Sequence, residues 1–301
     1  MSSPSAGRVV AITGAASGIG RALAERLVRR GDHVILLDVD AAGLDVAAQA
    51  MAERAAASGG SVGAEVVDVR DAGRVAQVVG DIWERFGRID IMVNNAGVAV
   101  GGPAEDLGVE HWQRAFDVNL SGVMHGVVAV YPRMVAARSG QIVNVASLAG
   151  LIPAPMMAAY SASEHGVVGL SLSLAGEAES YGIAVTCVCP GFTETPLLDR
   201  AGPDDLRPTM APGDARLIPK LTHTHIYDVD KMAADIEHGI DHRAVLVVAP
   251  ASARMSWAVS RVSPRAILTM WRGVVAQLRD THERMVGETQ QQESEPMELA
   301  S

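Results

Sequence analysis

Apolar residues along the chain follow two alternating rhythms. Short runs rich in Val, Ile and Leu, apolar at nearly every position, recur at residues 8–13, 33–37, 61–67, 89–94, 140–145, 183–189 and 244–248. Such runs suit strands buried on both faces. Between them lie longer Ala-, Leu- and Arg-rich stretches of helical period, predicting helices at 19–30, 41–58, 72–86, 109–138 with an internal break, 158–181 and 229–240. Strand and helix in alternation predict an α/β fold. Its expected form is a Rossmann-type, doubly wound parallel sheet of about seven strands between two helical layers, joined by right-handed crossovers.

Two regions leave this rhythm. Residues 192–228 are punctuated by Pro and Gly and are too long for an ordinary strand-to-helix loop, which predicts a mobile lid. Its Leu197, Leu198, Leu206, Met210, Leu217 and Ile218 either wall an apolar substrate site, together with 98–102 and 148–157, or pack on the sheet or a neighbouring subunit. Residues 251–285 read as a helical extension, and the Gln/Glu-rich 286–301 as a disordered tail. With a flexible N-terminus at 1–7, the organisation is a single domain over 8–250 followed by that extension. Past Pro264, Ile267, Leu268, Trp271, Val274, Val275 and Leu278 fall on one helical face, flanked by Arg265, Arg272 and Arg279. Such a stripe can rest on a membrane surface; a subunit interface or intramolecular packing explains it more simply.

Composition narrows the function. The 301 residues are 49% hydrophobic and carry a net charge of −10, with a pI near 5.3, which argues against nucleic-acid binding. The two cysteines, Cys187 and Cys189, are expected to point to opposite faces of a strand in a reducing compartment, with no disulfide scaffold. The first residues lack a charged, apolar leader, and no stretch of about 18 apolar residues follows. A cytoplasmic location is expected. His223 and His225 lack a nearby acidic or thiol set, so no metal site is expected.

Directly after the first strand comes Thr13-Gly14-Ala15-Ala16-Ser17-Gly18-Ile19-Gly20, a glycine-rich turn opening a helix. Glycines let the backbone approach a pyrophosphate, and the helix N-terminus supplies N–H donors and a favourable dipole. Gly14, Ser17, Gly18, Ile19 and Gly20 are therefore candidate cofactor contacts. The second strand ends at Asp38, placed to accept hydrogen bonds from the adenosine ribose and to repel a 2′-phosphate. Neither Ala16 nor Val39 adds positive charge, so NAD(H) is expected over NADP(H).

Over about 8–250 the chain resembles the short-chain dehydrogenase/reductase family. The resemblance rests on Gly14-x-x-x-Gly18-x-Gly20, Asp68-Val69, Asn94-Asn95-Ala96-Gly97, Asn119, Ser147, Tyr160 and Pro190-Gly191. It implies that Asp68 and Val69 flank the adenine, that Asn94, Asn95, Ala96 and Gly97 support the cofactor and central sheet, and that Thr193 and Thr195, after Pro190 and Gly191, contact the carboxamide region. It also implies that Tyr160 is the general acid/base, that Ser147 hydrogen-bonds the substrate oxygen, and that Asn119 holds a proton-relay water. Homodimers or homotetramers are implied, built on the 109–138 and 158–181 helices. The chemistry is coherent, because hydride transfer to a carbonyl leaves an alkoxide that needs a proton donor and an oxyanion partner.

One position departs from the pattern. The resemblance implies lysine at 164, a helical turn after Tyr160, where it would bind the nicotinamide ribose and lower the tyrosine pKa; the residue is Glu164. A unit charge at ~5 Å in an effective dielectric of ~20 is worth about 3 kcal/mol, so replacing the lysine's attraction with an ionised Glu164's repulsion would raise the Tyr160 pKa by several units. Only two lysines exist, Lys220 and Lys231, both far beyond the motif. The expectation is an NAD(H)-dependent oxidoreductase interconverting a secondary alcohol and a ketone on a small apolar molecule, with proton transfer impaired or altered. The alternative is a catalytically inactive nucleotide-binding homologue with a regulatory or assembly role.

Overall fold

The computed structural model describes residues 7–294 apart from 201, 204 and 210–213. Strands β1 (Val9–Thr13), β2 (His33–Asp38), β3 (Ser61–Val66), β4 (Ile91–Asn94), β5 (Gly140–Val145), β6 (Ile183–Pro190) and β7 (Leu246–Ala249) form one sheet in the order β3-β2-β1-β4-β5-β6-β7. Every pairing is parallel. The order reverses between β1 and β4, and at such a switch the strand C-termini frame a crevice.

Strand periodicity divides the core in two. Val10, Ile12, Val34, Leu36 and Val93 face one layer, built from α1 (Gly18–Arg29), α2 (Ala41–Ser58) and α8 (Val229–Asp241). Their neighbours Val9, Ala11, Ile35, Leu37 and Met92 face the other, built from α3 (Ala72–Phe86), α5 (Gly122–Ala137) and α6 (Ala158–Ala178). Both faces are buried, which is why these strands read as continuous apolar runs rather than alternating ones. Asp40, Asp71 and Asp228 cap α2, α3 and α8, each accepting from a backbone N–H three residues on.

The break expected within 109–138 is a π-helical turn, Phe116–Ser121, between α4 (Val109–Ala115) and α5. By length and mean hydropathy of 1.2 this continuous helical segment, Val109–Ala137, is apolar enough to cross a membrane. Its Val123, Val127, Val130 and Met134 are nevertheless core residues of the domain.

Two expectations are corrected. Cys187 and Cys189 do not face opposite sides: side chains repeat every two residues along a strand, so both point the same way, with their sulfurs 3.8 Å apart and buried. After α9 (Ala251–Val262), α10 (Pro264–Ser294) stays helical through 286–294, where a disordered tail is expected. Gln and Glu are good helix formers and can prolong a helix whose earlier turns are packed. Residues 1–6 and 295–301 lie outside the described residues, as does Met210 of the lid.

The stripe on α10 is covered from within the chain. Ile267, Trp271, Val274 and Leu278 pack on Ile218 of the lid helix α7 (Asp214–Leu221), with Met156, Phe192 and Leu217 around them. Leu268, one residue round from Ile267, is exposed instead. Arg279 pairs with Glu105 at 2.6 Å and His282 Nε2 with Asp106 at 2.7 Å, fastening α10 to the short helical turn Ala104–Asp106.

Candidate active site

A cavity of about 590 Å³ runs along the C-terminal edge of β1, β4, β5 and β6. At one end the glycine turn is tightly built. Gly14 adopts φ +65°, and a Cβ there would lie 2.8 Å from Ala96 Cα; one on Gly20 would lie 2.3 Å from the Gly14 carbonyl oxygen. Asn95 fastens this turn, its Nδ2 donating to the Thr13 and Gly14 carbonyls at 3.0 and 3.1 Å. Ser17 precedes α1 in an extended conformation without capping the helix with its side chain, so the first-turn N–H groups remain available beside the cavity.

Asp38 lines the same end. Its carboxylate accepts from Ala16 N at 3.0 Å and Asp40 N at 3.1 Å, which fixes its orientation at the tip of β2. Asp68 and Val69 form the adjoining wall with Gly97 and Ala96. The Arg70 guanidinium, 2.6 Å away, holds the Asp68 carboxyl below its ordinary range. Arg70 and Arg114 also line the cavity, Arg114 in a two-bond pair with Asp205 at 2.6–2.7 Å. Pro190, Gly191, Thr193 and Thr195 carry the wall past β6, where Thr193 Oγ1 donates to the Gly191 carbonyl at 3.1 Å.

Ser147 follows β5 and Tyr160 sits in the first turn of α6, and both line the cavity. Burial pushes the Tyr160 phenol far above its ordinary range; Glu164 pushes it further, and the nearby Ser147 opposes them. Asn119, in the π turn, also lines the cavity. Its Oδ1 accepts from Val98 N at 2.8 Å while its Nδ2 donates to Val98 O at 3.0 Å and Ser163 Oγ at 3.2 Å. The amide therefore braces the Gly97–Val98 backbone. Asn94 likewise serves the sheet, donating to Asn144 Oδ1 at 2.8 Å.

Glu164 lies where the motif places it, one turn beyond Tyr160, at 4% exposure and with Oε2 buried without a hydrogen-bond partner. Burial, and then the neighbouring Cys187, push its carboxyl well above the usual carboxylate range. This changes the electrostatics from those expected. A buried carboxyl with no cationic partner favours its neutral form, so at moderate pH Tyr160 experiences a missing cation more than an added anion.

The far end is apolar, formed by Ile152, Met157, Phe192, Leu197, Leu198 and Trp271. Sequence reasoning anticipates the leucines but misses Trp271, Arg70 and Arg114 as wall residues. Only the wrapping of α10 over the lid brings Trp271 there; the arginines carried a local signal, lying directly after Asp68-Val69 and on the helix leading to Asn119. His225 lines a separate cavity of about 40 Å³, and no group of three potential metal ligands occurs among the described residues.

Comparison with known proteins agrees with this layout. Residues 8–205 match the family model described as short chain dehydrogenase. The chain is 36% identical over 200 residues to a D-beta-hydroxybutyrate dehydrogenase of Rhizobium meliloti, covering 66% of this chain and 77% of that one. A short-chain dehydrogenase/reductase of Burkholderia phymatum, solved in complex with NAD, superposes with a TM-score of 0.76 at 29% identity, covering 86% of this chain and 95% of that one. A short-chain dehydrogenase of Sphingobium yanoikuyae in complex with NADPH gives a TM-score of 0.71 at 29% identity, covering 87% and 95%.

Proposed function

Since the chain belongs to the short-chain dehydrogenase/reductase family, we propose that it is an NAD(H)-dependent oxidoreductase interconverting a secondary alcohol and a ketone on a small, apolar substrate. The observation that carries this reading is the Ser147–Tyr160 pair at the β5 edge, between a nucleotide cradle and an apolar pocket. The cradle fits a dinucleotide: side chains at Gly14 or Gly20 would collide with backbone, and the α1 N-terminus is open. Asp38 supports NAD(H), because a fixed carboxylate there repels a 2′-phosphate while the nearby Arg70 and Arg114 are held by Asp68 and Asp205.

The cofactor, when bound, donates or accepts the hydride. In the reductive direction the carbonyl oxygen sits between Ser147 Oγ, which donates a hydrogen bond, and Tyr160 Oη, which delivers the proton. Asn95 and Asn119 hold the backbone that borders this point, and Thr193 and Thr195 orient the carboxamide side. The raised Tyr160 pKa keeps the phenol protonated, which preserves its donor role but makes it a weaker acid, and it starves alcohol oxidation of phenolate. The site thus leans toward ketone reduction. The outer faces of α5 and α6 expose Met124, Val128 and Leu172, which suit a homodimer or homotetramer.

The buried, unpartnered Glu164 favours a second reading, a nucleotide-binding homologue that has lost turnover. Single-turnover oxidation of bound NADH by a panel of neutral ketones separates the two. Decay of NADH absorbance that vanishes in Tyr160→Phe supports the enzyme; NADH binding without decay supports the second reading, and no NADH binding removes both.

A further inference from the structure

The chain carries a net charge of −10, yet between Asp241 and Asp280 there is no acidic residue and there are six arginines, Arg243, Arg254, Arg261, Arg265, Arg272 and Arg279. This basic segment includes all of α9 and the first half of α10. Of the twelve residues of α9 only Ala253 and Ser260 are buried. Met255, Val259 and Val262, spaced by four and three residues and so on one helical face, are 69%, 41% and 88% exposed. Trp257 lies on the same helix with the Arg261 guanidinium 4 residues on, stacked 5.6 Å from its ring centre. On α10, Leu268 is exposed between Arg265 and Arg272, on the flank of the buried Ile267–Trp271–Val274 seam.

From this we infer that α9 and the outer face of α10 dock on an anionic lipid surface, with Met255, Val259, Val262 and Leu268 entering the headgroup boundary and Arg261, Arg265 and Arg272 lying among the phosphates. This surface is distinct from the stripe that packs on the lid, which is consumed inside the chain. Charge selects the occupant. A symmetric contact between two copies would set this patch against itself, arginine against arginine. An anionic bilayer complements it, and a fluid boundary accepts protruding apolar side chains without a matching pocket. Trp271 faces inward from the same helix and lines the substrate end of the cavity, so attachment would bring that end close to dissolved lipophilic ketones.

The test is co-sedimentation of the full chain with vesicles of phosphatidylcholine alone or with about one quarter phosphatidylserine. Binding is expected on the anionic vesicles and lost at about 0.5 M salt, where the screening length falls to a few Å. Arg265→Ala with Arg272→Ala should weaken partitioning about 25-fold, at roughly fivefold per arginine. Met255→Asp with Val262→Asp should abolish it. Both pairs alter exposed side chains, and an unchanged thermal transition and NADH affinity verify that the fold is intact. The inference is overturned by absence of binding at low salt, by equal binding to both vesicle types, or by light scattering in which the Met255/Val262 pair dissociates a dimer while vesicles are ignored, since that assigns the face to a protein contact.

Discussion

Replacing Glu164 by lysine tests the electrostatics of the site directly. The side chain is 4% exposed, and neighbours four residues apart on a helix stand ~6 Å apart. At an effective dielectric of ~20 a cation at that distance stabilises the Tyr160 phenolate by about 3 kcal/mol, or two pKa units. Below the tyrosine pKa the phenolate fraction rises tenfold per unit, so Glu164→Lys should accelerate alcohol oxidation about 100-fold at fixed pH and shift the rising limb of its pH–rate profile down by two units. Glu164→Gln isolates the other half of the reasoning: if the buried carboxyl is already neutral, the amide should change ketone reduction by less than about threefold near pH 7. The assay is single-turnover absorbance with saturating NADH or NAD in both directions. A lysine variant that folds, binds NADH and gains nothing in either direction refutes the account, as does a large gain in the glutamine variant, which would mean that Glu164 is ionised and repelling.

Other consequences are equally direct. Because the folded pKa of Glu164 lies above its ordinary value of 4.5, the unfolded chain releases that proton first; stability contributed by the neutral form is whole below about 4.5 and falls by up to about 1.4 kcal/mol per pH unit up to the folded pKa. Denaturant melts should therefore show Glu164→Gln gaining on the parent as pH rises, and a constant difference between pH 5 and 8 would contradict this. Asp38→Ala removes the carboxylate proposed to repel a 2′-phosphate, and titration should show at least tenfold loss of NADH-over-NADPH preference. Trp271→Ala should cost about 3 kcal/mol of stability through the cavity it leaves, while lowering KM for bulky ketones relative to small ones.

The fold was legible because both layers of the core are written in β1, β2 and β4 as uninterrupted apolar runs, with longer stretches of helical period between the strands. The glycine turn, Asp38, Ser147 and Tyr160 were legible for a similar reason: each is placed by the strand or helix in which its own motif lies. What escaped reading depended on distant segments or on burial. Trp271 reaches the cavity only because α10 folds back over α7, more than 50 residues later in the chain than the lid's root at Phe192. The cysteine pair was misplaced by misapplying a period of two, and the burial that raises the Glu164 pKa is one that no linear pattern reports.

The roof formed by α10 gives the two halves of the site different histories. All strands that carry the nucleotide cradle precede residue 250, whereas the wall at Trp271 and the fastenings at Arg279 and His282 come later. During synthesis the cofactor half can close on its ligand while the reactant half still lacks a side. On the proposed function, the reactant wall is thus completed last, and variation in the extension is expected to retune it without disturbing the nucleotide cradle.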